Sequence, residues 1–349
     1  MFRLNKEDYK KVETLITSHN ELSVFAVMNG IIPGEVYVNN VDNPTAVLVQ
    51  TSECNLVAGN SKDADFCLDI SSVLDFWDQL TPDTEEWEEL IPSIHENKFV
   101  KKCKRRLYTL SHAEWNKPEI HLPQGYVLEK VNLSRLKKGC YENADKVLEW
   151  VRNWGEEEAF LTYGTGCYIR DNKTIISWSL SDCCWNNEIA IGVHTDIRYR
   201  NHGFGNIVVA ATIMECFSKG YQRIHWLCVD TNKGSIAIAD KNGFTYMNEF
   251  YSFSSYPPVE NFTDLSEEEW HIWGEYLEKA AETEKRLSWE SLFAYIKSND
   301  IQKAIHLISY IEQNGMNVDF NKTKKFINTL QTYGLCSNFK NQDWYDFIE

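Results

Sequence analysis

Between a strand-patterned segment and an almost unbroken apolar one, the chain places Arg200-Asn201-His202-Gly203-Phe204-Gly205. Upstream, Glu188-Ile189-Ala190-Ile191-Gly192-Val193-His194-Thr195 carries β-branched residues at a period of two and reads as a strand. Downstream, residues 206–217 are apolar enough for a largely buried helix. A strand that reaches a helix through a short basic turn leaves the first helix amides without intrahelical partners, where the dipole favours negative charge. Gly203 and Gly205 carry no Cβ to hold a diphosphate away from those amides. The segment reads as a phosphate cradle and commits this part of the chain to an α/β arrangement.

Ordinary strand-to-helix turns can carry the same glycines, so the sequel decides between the two readings. Ile224-His225-Trp226-Leu227-Cys228-Val229 is a second strand, closed by Asp230-Thr231-Asn232. Residues 233–241 form a short helix that stops at Asn242-Gly243, a left-handed cap, and Phe244-Thr245-Tyr246 starts another strand. The order strand, R-x-x-G-x-G, helix, strand, Asn, short helix, Gly-Phe, strand resembles the acetyl-CoA-binding core of the GNAT superfamily of N-acetyltransferases over roughly residues 125–255. Its setting (Trp150, Trp154, Thr195, Tyr199-Arg200, His225-Trp226-Leu227-Cys228, Asn232, Ser235) looks like the branch that includes the acetyltransferase for self-resistance to the antibiotic zwittermicin A.

The resemblance implies a mixed, mostly antiparallel sheet flanked by helices, with the ligand where two central strands splay apart. It implies that backbone groups of Val193, His194 and Thr195 pair with the pantetheine arm of acetyl-CoA as another strand would. Arg200, Asn201, His202, Gly203, Phe204 and Gly205 would hold the pyrophosphate, Asn232 would bond the pantetheine, and Ser235 lies one helical turn further on. An amide near Gly192–Val193 would polarise the thioester carbonyl. Transfer to the primary amine of a small molecule would then be direct, within a ternary complex. The rival expectation is a catalytically silent acyl-CoA-binding sensor. It draws on one departure: where many family members protonate the leaving thiolate with a tyrosine, this chain has Ala239. Tyr246 and Tyr251 are substitutes by position, though each also reads as a packed strand aromatic.

An amine protonated at neutral pH needs a base. Glu188, at the start of the signature strand, is the expected catalytic residue; His194, of the same parity, is the second candidate, and a water chain the third. Cys228 has no activating neighbours in sequence and reads as a small buried hydrophobe.

Composition excludes several other classes. A net charge of −16 argues against nucleic acid held by phosphate contacts; it suits a cationic amine and equally suits solubility alone. Ten cysteines without C-x-x-C pairs or metal-ligand spacing point to reduced thiols and no metal site. The start, Met1-Phe2-Arg3-Leu4-Asn5-Lys6, has no signal-like apolar core, and no apolar run is long enough for a bilayer, so no membrane partner and a cytoplasmic location are expected.

Three regions are expected. Residues 1–120 form a smaller α/β unit: an amphipathic helix over 6–18, strands at 35–38, 46–50 and 55–58, a helical stretch over 69–80 and an acidic one at 84–89. Its basic run, Lys101-Lys102-Cys103-Lys104-Arg105-Arg106, reads as a solvated strand face or, more sharply, as a patch that steers the phosphates of coenzyme A. Residues 121–256 form the catalytic domain, entered through a linker over 115–125. There a strand over 126–129, a helix over 142–154 and a hairpin of 167–170 with 174–180 precede the signature strand. Residues 257–349 form an all-helical extension, opened by the N-cap Ser266 and its acidic first turn.

Overall fold

A computed structural model of the chain describes residues 1–16, 21–74, 79–94, 100–254, 265–316, 318–332, 334–340 and 344. The expected helical residues 17–18 and 75–78, and the boundary at 256–258, lie outside the described residues. The fold divides into two compact units, one of residues 1–96 with 100–256 and one of 97–99 with 257–349.

The first unit is built on a single sheet. Its strands are β1 (Phe2–Arg3), β2 (Glu35–Val38), β3 (Ala46–Gln50), β4 (Asn55–Gly59), β5 (Gln79–Pro82), β6 (Lys101–Ser111), β7 (Val127–Lys130), β8 (Gly166–Arg170), β9 (Ile175–Trp185), β10 (Glu188–Thr195), β11 (Arg223–Val229) and β12 (Thr245–Ser254). Among the described residues the order across the sheet is β1-β2-β3-β4-β5-β12-β6-β11-β10-β9-β8-β7. Only β4–β5 and β10–β11 pair in parallel; every other neighbouring pair is antiparallel. The mixed, mostly antiparallel sheet expected from the sequence is therefore present, and it runs without a break across residue 120.

That continuity comes from β6, which sits between β11 and β12 although it precedes both in the chain by more than a hundred positions. Its basic run is tied down within the fold. Lys102 pairs with Glu88, Lys104 with Glu249 at 2.7 Å and Arg106 with Asp230 at 3.7 Å, while Arg105 is buried. Lys102, Lys104 and Arg106 keep part of their side chains in solvent, as a solvated strand face would, while their charges pair with carboxylates of neighbouring elements.

Helices cover this sheet: α1 (Leu22–Met28), α2 (Ala64–Val73), α3 (Glu85–Ile94), α4 (Leu133–Leu136), α5 (Ala144–Val151), α6 (Glu157–Thr162), α7 (Phe204–Ser218) and α8 (Lys233–Lys241). Residues 6–15, expected as an amphipathic α-helix, form a 3-10 helix instead, with Tyr9 and Val12 buried. The stretch expected to be helical over 69–80 is divided between the end of α2 and β5. The apolar residues of α7 face the sheet: Val208 and Ala211 pack with Ile169 and Ile176, and Val209 and Ile213 join the main core with Leu180, Ile189 and Trp226. The helix α8 stops as its sequence dictates, with Gly243 at φ +82° and Phe244 N–H donating to Ala239 O at 3.1 Å.

The second unit contains α9 (Glu267–Ala280), α10 (Leu287–Lys297), α11 (Ile301–Gln313) and α12 (Phe320–Thr332). Ser266 and Glu269 close a capping box on α9, and Leu292, Tyr295, Ile308, Leu330 and Phe339 form part of its core.

Asn143 is a joint in the first unit. It caps α5 at φ +68°, and its side-chain amide donates to Ile175 O at 2.9 Å and Asp196 Oδ2 at 3.0 Å, all out of solvent. Asn143→Ala should cost about 2–4 kcal/mol, from two lost buried bonds and a left-handed backbone that alanine resists. Asn143→Gly keeps the backbone relaxed and should cost about 1 kcal/mol less. Thermal melts of the two variants check this, and equal losses would remove the backbone from the account.

Candidate active site

The two central strands part early. β10 and β11 pair from Glu188–Arg223 to Ala190–His225; beyond that β10 runs on to Thr195 and β11 to Val229 without pairing to each other. The edge of β10 from Ile191 to Thr195 is thus left without β11 as a partner. Val193, His194 and Thr195 lie along this stretch. Burial, followed by the nearby Arg200 and Lys146 cations, pushes the His194 imidazole down to about 4. At neutral pH it is uncharged, packed against Trp178 with ring centroids 4.5 Å apart and planes tilted by 30°. Thr195 Oγ1 meets Ser177 Oγ at 2.8 Å, and Thr195 O accepts from Arg200 Nε at 3.1 Å.

At the open end of the gap stands the N-terminus of α7. Its N-cap is Gly203 at φ +83°, with no capping side chain and no acid in the first turn. The first amides of a fifteen-residue helix are therefore left to a ligand or to water. Arg200 and His202 flank them, His202 Nδ1 bonding Arg200 O at 2.7 Å, and Asn201 is itself left-handed at φ +63°. Phe204 is buried against the Tyr126 ring at 4.7 Å.

The two glycines differ in what they permit. A Cβ on Gly203 would meet open space, so backbone conformation is what selects glycine there. A Cβ on Gly205 would lie 3.0 Å from Ile238 Cδ1 and 3.3 Å from Thr195 Oγ1. Gly205 is thus needed for close packing of α7 on α8 and β10, a different reason from the diphosphate clearance expected for it.

Asn232 caps α8, its Oδ1 accepting from Ser235 N–H at 3.0 Å, and Ser235 Oγ accepts from Trp226 Nε1–H at 3.0 Å. The structure therefore brings the signature turn and the two α8 residues together through the contact of Gly205 with Ile238. Glu188 stands apart from them, at the opposite end of β10. Its carboxylate bonds His225 Nε2 and lies 3.3 Å from Arg223 Nη1. The His225 bond holds its pKa below the ordinary carboxylate value against the effect of burial. Ala239 is buried in the core. Tyr246 and Tyr251 lie on β12, with β6 and β11 between them and β10. The Tyr246 ring packs on Tyr108, and Tyr251 lies beneath the Lys102 ammonium.

Two buried carboxyls beside the splay were not singled out by the sequence reading. Across the β9–β10 ladder Ala190 opposes Cys183 and Ile191 opposes Ser181, so Asp182 is the extra residue of a bulge. Its carboxylate takes the Trp150 Nε1–H bond, and Oδ2 lies 3.4 Å from where a Cβ on Gly192 would be. Burial pushes its pKa well above the carboxylate range, opposed by the Trp150 and Asn153 bonds and reinforced by the negative charge of Glu21. Glu21, at the N-cap of α1, is also raised by burial, with Arg105 and His225 pulling it down. The one signal in the sequence was an acid inside the apolar run of β9.

A GNAT acetyltransferase family model matches residues 13–253, more than half of the chain. The chain belongs to the GNAT acetyltransferase family. The match reaches well upstream of the signature, so the N-terminal strands lie within the family's span along with the splayed pair. Among curated proteins, the chain is 22% identical over 263 residues to the uncharacterized N-acetyltransferase YdfB of Bacillus subtilis strain 168, covering 72% of this chain and 97% of that one. A GCN5-related N-acetyltransferase-like protein from Streptococcus suis shares the fold with a TM-score of 0.58 at 21% identity, over 71% of this chain and 98% of its own. The family's chemistry is acyl transfer from an acyl-CoA thioester, with acetyl-CoA as co-substrate. No helix among the described residues is long and apolar enough to cross a membrane, and no group of side chains among them could hold a metal ion.

The Glu188–His225 contact has a measurable sign. A carboxyl whose folded pKa is lowered contributes stability above its unfolded value and loses that contribution as the pH falls through the folded one. The melting temperature of Glu188→Gln should therefore lie below wild type by most above the ordinary glutamate pKa, and the gap should close as the pH falls below it. A gap independent of pH would show that the contact is not ionic.

Proposed function

We propose that this protein moves the acetyl group of acetyl-CoA to the primary amine of a small molecule, by direct attack within a ternary complex. The observation that carries the reading is the pairing of a strand edge left open on β10 with an uncapped, acid-free helix N-terminus beyond it. An extended pantetheine arm needs backbone partners along its length, and a pyrophosphate needs amide donors at one end. Val193, His194 and Thr195 supply the first; Arg200, Asn201, His202, Gly203, Phe204 and Gly205 supply the second. Asn232 and Ser235, at the start of α8, bound the same channel. An amide near Gly192–Val193 serves the developing oxyanion. Glu188 is kept in this reading as the anchor of His225 rather than as the proton acceptor.

Support for a small acceptor comes from the N-terminal elements. The Phe25 ring of α1 stacks on Trp185 of β9 at 4.9 Å, and Glu21 brings a carboxyl into the protein interior beside the splay. A packed, acidic acceptor side suits a compact cation better than a peptide. Aminopolyols and aminoglycosides, the class the zwittermicin A likeness points to, fall within this description. Thiol release from acetyl-CoA with putrescine, glucosamine, kanamycin and a lysine peptide is the direct assay. Turnover should be fastest with one of the three small amines. A faster peptide would overturn the choice of acceptor, and tight acetyl-CoA binding with no turnover would favour a sensor.

The cofactor turn can be tested separately. Gly203→Ala and Gly203→Glu impose the same backbone strain, but only the second adds a like charge where the pyrophosphate would lie. Calorimetry should find acetyl-CoA binding weakened by Glu roughly tenfold or more beyond the effect of Ala. Equal losses would take the pyrophosphate away from this turn.

A further inference from the structure

We propose that Asp182 is the proton acceptor for the incoming amine and that Glu21 sets the pH at which it works. This rests on the acetyl-transfer reading and assigns residues that the sequence reading did not.

Position comes first. The bulge on β9 brings the Asp182 carboxylate over Gly192, beside the amides expected to hold the thioester carbonyl. Gly192 has no side chain to intervene, and Trp150 packs on the same side as the carboxylate, 2.7 Å from where a Cβ would stand. A larger residue at 192 would separate the carboxylate from the strand edge. Trp150 Nε1–H, bonded to the carboxylate, fixes its orientation.

Charge comes second. Asp182 is only 7% exposed, and the groups that act on it are Trp150, Asn153 and Glu21, with no cation among them. A buried carboxylate in that condition is costly unless something cationic enters beside it. An alkylammonium ion meets the need. The rest of the cluster is also incomplete. His225 Nδ1 and Arg105 Nε are buried and have no hydrogen-bond partner among the described residues, and both residues lie close enough to Glu21 to lower its pKa. Burial raises Glu21 as it raises Asp182, and Arg105 and His225 oppose that rise only at Glu21. Cys183, the next residue on β9, has its thiol pushed well up by burial and stays protonated. Glu188 reaches this cluster only through His225. Glu21 and Asp182 thus differ in surroundings: Arg105 and His225 act on Glu21, while Asp182 has the Trp150 and Asn153 bonds and the nearby Glu21 charge.

The step balances simply. The ammonium gives one proton to the Asp182 carboxylate, and the nitrogen lone pair attacks the thioester carbon. The N–C bond forms as the C–S bond breaks, and the second proton passes from the nitrogen to the departing sulfur, which leaves as neutral thiol. Asp182 returns its proton to solvent.

The test uses the full-length protein and the best small amine from the panel above. Asp182→Asn keeps the shape and the Trp150 bond, so acetyl-CoA binding by calorimetry should be retained. Its kcat should fall roughly 10²- to 10⁴-fold, and the rise of rate with pH on the acid side should vanish. Glu21→Gln removes the negative neighbour, so the acid limb should move to lower pH with turnover preserved. Asp182→Asn turning over at the wild-type rate with its acid limb intact would overturn the proposal while leaving acetyl transfer in place. Should Asp182→Asn fail to fold, Glu21→Gln decides, and an unmoved acid limb overturns the proposal. A wild-type protein that acetylates none of the amines removes both readings.

Discussion

β10 and β11 hold each other only from Glu188 to Ala190, and the site depends on that early parting. Two parallel strands that stayed paired would satisfy each other's backbone groups and leave nothing for a ligand. Once they part, the edge of β10 offers donors and acceptors in the spacing of an extended chain. The same parting aims the end of β10 at the turn before α7, where helix amides continue the line of donors. Backbone geometry supplies the binding surface, and side chains trim it.

The features around the apex of the splay bear on one another. The bulge at Asp182 shifts the β9 register by one residue between Ala190 and Ile191, where the parallel pairing with β11 ends. Gly192 sits under Trp150, and Trp226 from β11 is buried and donates to Ser235 at the head of α8. Local field matters more here than net charge. The chain carries −16 overall, yet the first turn of α7 holds no acid and is flanked by Arg200 and His202, while carboxylates gather at the other end of the gap. A phosphate group and an ammonium group would each meet opposite charge at its own end.

Much of this was legible in the sequence because it rests on local rules. The strand over 188–195, the turn, the apolar helix after it and the short helix over 233–241 follow from periodicity and from cap residues such as Asn232 and Gly243. The capping box at Ser266 likewise depends on residues three positions apart. The N-terminal helix was less legible: residues 6–15 carry a helical pattern, but they adopt the tighter 3-10 form where Tyr9 and Val12 pack into the core. Propensity named the kind of element, and packing selected its pitch.

Other features came only from long-range pairing. No local signal places residues 101–111 between two strands that follow them by more than a hundred positions, so a basic run that reads as a solvated face is one face of a central strand, with Arg105 buried. Asp182 is one acid in an apolar strand until the register with β10 makes it the bulged residue, and Glu21 is a helix cap until tertiary packing seals it beside Arg105 and His225. The sequence by itself determined the glycine turn before α7 and the helices around it, because capping, glycine conformation and amphipathic period act over a few residues. Tertiary structure alone decided which carboxyl lies beside the splay and which is bound to a histidine at its far end, because burial and charge pairing depend on groups brought together from distant parts of the chain.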